Sequence, residues 1–279
     1  MTVKVVTDSC SDITQQEANK LGILVVPAYV HFGNEVYRDG IDIDCDQFYE
    51  KLVNSSVHPS TAAPSPGEFA KIYEKVAMET HEVVSIHVTR KHSAMYDSAL
   101  VGKSLIGDKR VKIEIFDSRG VTLWQGLVAR AAAQVAAAGY NLQQVMDEAQ
   151  KTINQLRALA LLDTLKYVVR GGRIGNTIFA LESKLNIRPL ITLLDGEIRP
   201  AGMTRNRAKA LIRLREFLSR TDVSEIAIAH STCPEDAAML AAYARSLFPN
   251  IVPWVARLGP ALGVHAGPGA LAIIIRDAK

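Results

Sequence analysis

Cysteine is scarce in this sequence of 279 residues: Cys10, Cys45 and Cys233 lie far apart, with no paired spacing. An odd, scattered set excludes a disulfide framework and a metal knuckle, and it fits a reducing compartment. Aromatics make up only 6% of the chain, so Val, Ile, Leu and Ala must build most of the core. Apolar runs of about 18 residues, the length of a membrane helix, are absent. The longest small-apolar stretch, Ala131 to Ala138, is interrupted by Gln134 and reads as a buried helix. No block of lysine and arginine runs along the chain and the formal net charge is +3, so nothing electrostatic points to nucleic acid or to an anionic membrane. The seven histidines are scattered and form no HExxH, so no metal site is expected. A GxSxG nucleophile elbow is missing as well. The start, Val3-Lys4-Val5-Val6, is too short and too soon polar for a signal peptide. These absences together lead to the expectation of a soluble, cytoplasmic protein.

What is present is ordinary globular composition, 48% hydrophobic and 22% charged, in a chain long enough for two domains. The first half alternates strand-like and helix-like segments. Strands are expected at Val3–Thr7, Leu24–Phe32, Glu35–Arg38 after a Gly33-Asn34 turn, Glu82–Val88 and Lys112–Phe116. Helices are expected at Thr14–Leu21, Cys45–Asn54, Pro66–Glu79, from Ser93, and at Thr122–Ala138, where Gly139 suits a left-handed cap. Alternation of this kind implies βαβ units and a mainly parallel, Rossmann-like sheet.

The character changes after about Leu156. Strands are expected at Ala158–Leu162, Arg188–Leu194, Glu197–Met203, Ile226–His230, Ile251–Ala256 and Ala270–Arg276, with helices at Arg205–Arg220 and Pro234–Leu247. Asp195-Gly196 between two of these strands is a strong hairpin signal. A hairpin implies a mixed or antiparallel sheet. The fold class is therefore α/β in two domains, residues 1–156 and 157–279, with the segment at about 60–80 open to packing with the second.

Ligands of open parallel sheets bind beyond the carboxyl ends of the strands. Three such ends carry hydroxyls or acids: Thr7-Asp8-Ser9, Thr89 to Ser93, and Asp117-Ser118. Helix capping explains Asp8, Ser9, Asp117 and Ser118 as well as ligand binding does. Ser93 follows the basic tripeptide Arg90-Lys91-His92 and stands at a helix N-terminus, where free N–H groups and the dipole favour a carboxylate or phosphate. Ser60 to Ser65 is a polar loop before a helix. Val169 to Gly175 has the glycines and arginines of an anion loop, or of an ordinary turn. Leu258 to Gly269 holds four glycines and two prolines, leaves little freedom for regular structure, and frames His265 as in a shaped loop. A serine hydrolase or acyl transferase can be assembled on paper from Ser93 or Ser118, His265 and Asp8 or Asp117.

In order, these segments resemble the DegV family. The matches are Thr7-Asp8-Ser9 with Asp12, Thr61 to Phe69, Ser93 with Tyr96 and Ser98-Ala99, and Asp117-Ser118. Further on come Gly171-Gly172-Arg173-Ile174, Leu185-Asn186-Ile187 with Pro189 and Asp195-Gly196, and the segment from Gly259 to Gly269 with His265. The resemblance implies one long-chain fatty acid between the two domains, its carboxylate held by Thr61 and Ser93, with Arg173 and His265 near the head group. It also implies a lipid-binding protein rather than an enzyme, with no cofactor beyond the bound acid, that presents its ligand to a separate fatty acid kinase. Two stretches depart from the family pattern: Ala62-Ala63 stand where a serine and a glutamine are common, and Ala94-Met95 where a glycine and a threonine are.

Overall fold

The computed structural model describes residues 2–108, 110–173, 187–219 and 222–278. The protein is a mixed α/β structure of two compact units, one made of Met1–Tyr29 and Thr61–Asn154, the other of Val30–Ser60 and Gln155–Lys279. The second passage of the chain lies beside the division expected near residue 156. The excursion of Val30–Ser60 has no counterpart in that expectation, and residues 61–80 group with the first unit.

The first unit is built on a four-stranded parallel sheet in the order Leu24–Val26, Lys4–Asp8, Glu82–His87, Lys112–Asp117. Val5, Val6, Val83, Val84 and Ile86 are all buried, the near-continuous burial of a parallel sheet covered on both faces. Pairing of Thr7 with Ile86 and of His87 with Asp117 aligns the carboxyl ends of three strands. Capping boxes at Thr14 and Ser65 start the helices Gln15–Leu21 and Pro66–Ala77.

The second unit carries a six-stranded mixed sheet in the order Glu197–Thr204, Arg188–Leu194, Leu156–Leu161, Leu271–Asp277, Val223–His230, Trp254–Arg257. All neighbours are antiparallel except the last pair. The expected hairpin forms at Asp195-Gly196, both with positive φ, as the right-handed twist of a two-residue hairpin requires. Leu161, Leu190, Ile228 and Ile273 on the sheet meet Leu214 and Leu218 from the helix Arg207–Ser219, and Leu240 from the helix Pro234–Leu247, in one buried cluster. Each such side chain contributes about 1.5–3 kcal/mol of burial free energy. A smaller sheet has the order Glu35–Arg38, Tyr29–Phe32, Ser60–Ala62. Among the described residues no helix is long and apolar enough to cross a membrane.

Three expectations need correction. Leu24–Phe32 is two strands, Leu24–Val26 and Tyr29–Phe32. Pro27 has no N–H for the ladder, and the Ala28 N–H donates instead to Ser9 Oγ at 3.0 Å. The helix expected from Ser93 starts at Met95. The segment 258–269 is not an irregular loop but contains a helix, Pro260–Ala266, with proline in its first turn. Leu142–Gln155, given no element above, is also a helix. Val145, Ala149, Thr152 and Ile153 are buried on one side of it, and Asn141 and Gln144 exchange capping bonds at its start. Ile174, Gly175, Leu185 and Asn186 lie outside the described residues.

Candidate functional site

Two helix N-termini meet in the first unit. The Pro66–Ala77 helix begins at Ser65, whose Oγ accepts from the Glu68 N–H, while Glu68 accepts from the Ser65 N–H at 2.8 Å and from the Tyr29 hydroxyl. Burial alone would raise the Glu68 pKa, yet the bonds from Tyr29 and Ser65 outweigh it and hold this carboxyl below its ordinary range. The helix Met95–Ser104 crosses the first one at Gly102. A Cβ there would lie 2.5 Å from Phe69 Cβ and 2.8 Å from the Pro66 carbonyl, so only glycine permits the approach. Near the other end of the contact Ser98 Oγ donates to the carbonyl of Pro64. Thr61 is half-buried in the strand just before this point, flanked by exposed Ser60 and Ala62.

Ser93 is half-buried, and its Oγ accepts from the Met95 N–H at 3.2 Å. That bond uses a lone pair and not the O–H, so the hydroxyl can act as a donor while it shapes the turn. In the basic tripeptide before it, Arg90 is engaged with the helix that follows. Arg90 pairs with Asp97 at 3.3 Å and lies 4.9 Å from the centre of the Tyr96 ring. Its charge is turned onto the helix that follows.

The alanine departures become interpretable. Ala94 has φ −79° and ψ 1° and is exposed, a conformation open to any L-residue. The backbone there does not require glycine. Met95 is buried in the core. Ala62 is next to Thr61 in a strand and therefore points to the opposite face; its missing hydroxyl is not taken from the side that Thr61 presents.

A buried chain of polar groups supports the loop that carries Ser93. Asp8 Oδ1 accepts from the Cys10 N–H, and Oδ2 accepts from the Val88 N–H at 3.0 Å and pairs with His87 Nδ1 at 2.9 Å. His87 Nε2 meets Ser85 Oγ at 2.8 Å, and Ser85 in turn accepts from the Tyr73 hydroxyl. Asp8, His87, Ser85 and Tyr73 are all fully buried, and burial pushes the Tyr73 phenol well above its ordinary pKa. The order Ser85–His87–Asp8 is that of a hydrolytic triad, but no substrate reaches a serine with no exposed surface. This network fixes the carboxyl ends of two strands and the first residue beyond one of them. Ser9 accepts from Ala28, Asp117 accepts from the Arg119 N–H at 2.8 Å, and Ser118 accepts from the Gly120 N–H, so all four acids and hydroxyls at these ends serve backbone groups. Sequence reasoning missed His87 and Ser85 because their alternation sits inside an otherwise apolar strand.

In the second unit Arg173 and His265 both lie against Gly171. His265 lies in the last turn of the Pro260–Ala266 helix, whose start is met by the buried carboxylate of Asp39, accepting from the Ala261 N–H at 3.3 Å. Tyr49 donates to the carbonyl of Leu258 at 3.2 Å. The His265 ring lies against Gly171, where an added Cβ would be 2.1 Å from Nδ1, and the carbonyl of Gly171 accepts from Arg173 Nη1 at 2.7 Å. Among the described residues no group of His, Cys, Asp or Glu has the arrangement of a metal site.

The chain as a whole is similar to known proteins. The model of the uncharacterised DegV family matches residues 2–277. A DegV domain-containing protein of Caldanaerobacter subterraneus is 30% identical over 280 residues, with 99% of each chain covered. The crystal structure of DegV, a fatty acid binding protein from Bacillus subtilis, superposes with a TM-score of 0.91 at 28% identity, covering 99% of both chains. A stearic acid-binding protein from Eubacterium ventriosum superposes with a TM-score of 0.89 at 27% identity, covering 98% of both. The chain thus belongs to the DegV family.

Proposed function

We propose that this protein binds a long-chain fatty acid in the cytoplasm. Its carboxylate is held near Thr61 and Ser93, with Arg173 and His265 near the head group. The protein carries no turnover of its own and presents the acid to a separate fatty acid kinase, which forms the acyl phosphate. The observation that carries this reading is the junction of two helix N-termini through Ser98 and Pro64, with Ser93 placed just before one of them. Helix N-termini attract a carboxylate through their unpaired N–H groups and dipole. A buried carboxylate must be hydrogen-bonded, and hydroxyl donors supply this. Each buried CH₂ of an acyl chain contributes about 0.8 kcal/mol, so a long tail supplies most of the affinity. Two relatives of like fold and more than a quarter identity are described as binding fatty acids.

The test is to purify the protein, extract it with organic solvent and analyse the extract by mass spectrometry. A fatty acid in near-equimolar amount is expected. If none co-purifies, and none is taken up at micromolar concentration, the lipid reading is abandoned. The transfer step is tested by adding a fatty acid kinase and ATP and trapping acyl phosphate with hydroxylamine; loaded protein should yield the hydroxamate.

A further inference from the structure

We infer that Gly171 is a positioning residue for two side chains, the imidazole of His265 against its Cα and the guanidinium of Arg173 on its carbonyl. The two adjacent glycines have separate tasks. Gly172 has φ +67° and makes the turn. Gly171 has φ −70° and ψ −11°, a right-handed conformation that alanine adopts without strain. Its lack of a side chain is therefore about space. A Cβ at this position would lie 2.1 Å from Nδ1, 3.0 Å from Cε1 and 3.2 Å from Cγ of His265. Those atoms are the near edge of a ring, not the end of a long flexible chain. The helix behind the ring is itself held, by Asp39 at its start and by the Gly267 N–H donating to the Gly263 carbonyl at its end. The ring cannot give way without leaving its place. The Gly171 carbonyl in turn holds Arg173 at 2.7 Å. One residue thus provides clearance for one cation-forming side chain and an acceptor for the other.

That this positioning serves the ligand's head group rests on the proposed role of these two residues; the coupling itself does not. Four proteins test it: wild type, Gly171→Ala, His265→Ala and the double variant. The ring C–H resonances of His265, identified by their loss in His265→Ala, should move in Gly171→Ala. The melting midpoint should fall by several degrees in Gly171→Ala, and the double variant should melt with His265→Ala, because removing the ring removes the clash. Should Gly171→Ala fail to fold, a folded double variant supports the coupling and an unfolded one overturns it. Unmoved His265 resonances, or an undiminished loss of midpoint when alanine is added to His265→Ala, also overturn it. Fatty-acid uptake measured on the same wild-type sample separates the two ideas: absent uptake sinks the head-group reading and leaves the coupling result standing.

Discussion

Ser98 donates its hydroxyl proton to the main-chain carbonyl of Pro64. This bond joins the loop that follows Thr61 to the first turn of the helix that follows Ser93, across 34 residues of sequence. Together with the clearance at Gly102, it determines how far apart the two segments stand. Replacing Ser98 by alanine should destabilise the fold by about 1 kcal/mol, the net worth of an ordinary hydrogen bond. Fatty-acid affinity should fall with it, since the carboxylate site loses its spacing. Chemical denaturation and a fluorescent fatty-acid displacement assay read the two effects; unchanged affinity would mean the bond is only structural.

Ser93→Ala should weaken acid binding by about 1–3 kcal/mol, because a donor to a buried anion is removed. That corresponds to a rise in Kd of roughly 5- to 150-fold. The melting midpoint of ligand-free protein should change little by comparison. Calorimetric titration with a soluble acid gives the answer, and an unaltered Kd refutes the assignment. Thr61→Val, which keeps the shape and loses the hydroxyl, should act in the same direction.

His87→Ala should be among the most damaging single changes in the first unit. It leaves Asp8, 2.9 Å from the lost imidazole, and Ser85, 2.8 Å from it, both fully buried with a partner missing, and each buried group left unsatisfied costs about 1–3 kcal/mol. Tyr73→Phe removes only the terminal donor to Ser85 and should cost about 1–3 kcal/mol. Urea unfolding of the two variants should show this ranking; equal midpoints would contradict the buried chain.

Acid should weaken the second unit. His58 is pushed below its ordinary value of 6.5 by burial and then by the charges of Arg170 and Lys166. His230 is pushed down by burial and then by Arg257, with Glu235 opposing. The unfolded chain takes up protons near pH 6.5 while the folded chain resists them. Stability from these groups is therefore complete above roughly pH 6.5 and is lost as the pH falls below it, through the lowered values of the folded chain. Urea midpoints should decline from pH 8 toward pH 5.5, and His58→Gln combined with His230→Gln should flatten the decline.

Much of the architecture was legible because its signals are local. Pro66 after Ser65 starts a helix, Asp195-Gly196 turns a hairpin, and β-branched runs mark buried strands. What stayed hidden depends on contacts distant in sequence. The Gly-Pro segment near the end reads as a loop, since glycine and proline usually mark one. Its glycines instead admit neighbours from elsewhere: a Cβ at Gly263 would lie 2.4 Å from a ring carbon of Phe48. Ser93 and His265 could be singled out from their flanking residues. The pairing of His87 with Asp8, 79 positions apart, carries no local mark at all. The pairing of Arg90 with Asp97 was not legible either, because a charge beside a loop does not show which neighbour it will face.

The excursion of Val30–Ser60 into the second unit has a consequence for how the chain is made. During synthesis this stretch leaves the ribosome long before residues 155–279, with which it clusters. Phe48, wholly buried in the finished molecule and set against Gly263, lacks that part of its cover until the helix Pro260–Ala266 is synthesised. N-terminal domains usually fold first as they emerge, but here the early segment must wait. A nascent chain halted after residue 156 should remain protease-sensitive within 30–60 and bind chaperones there, although residues for its parallel sheet are all present.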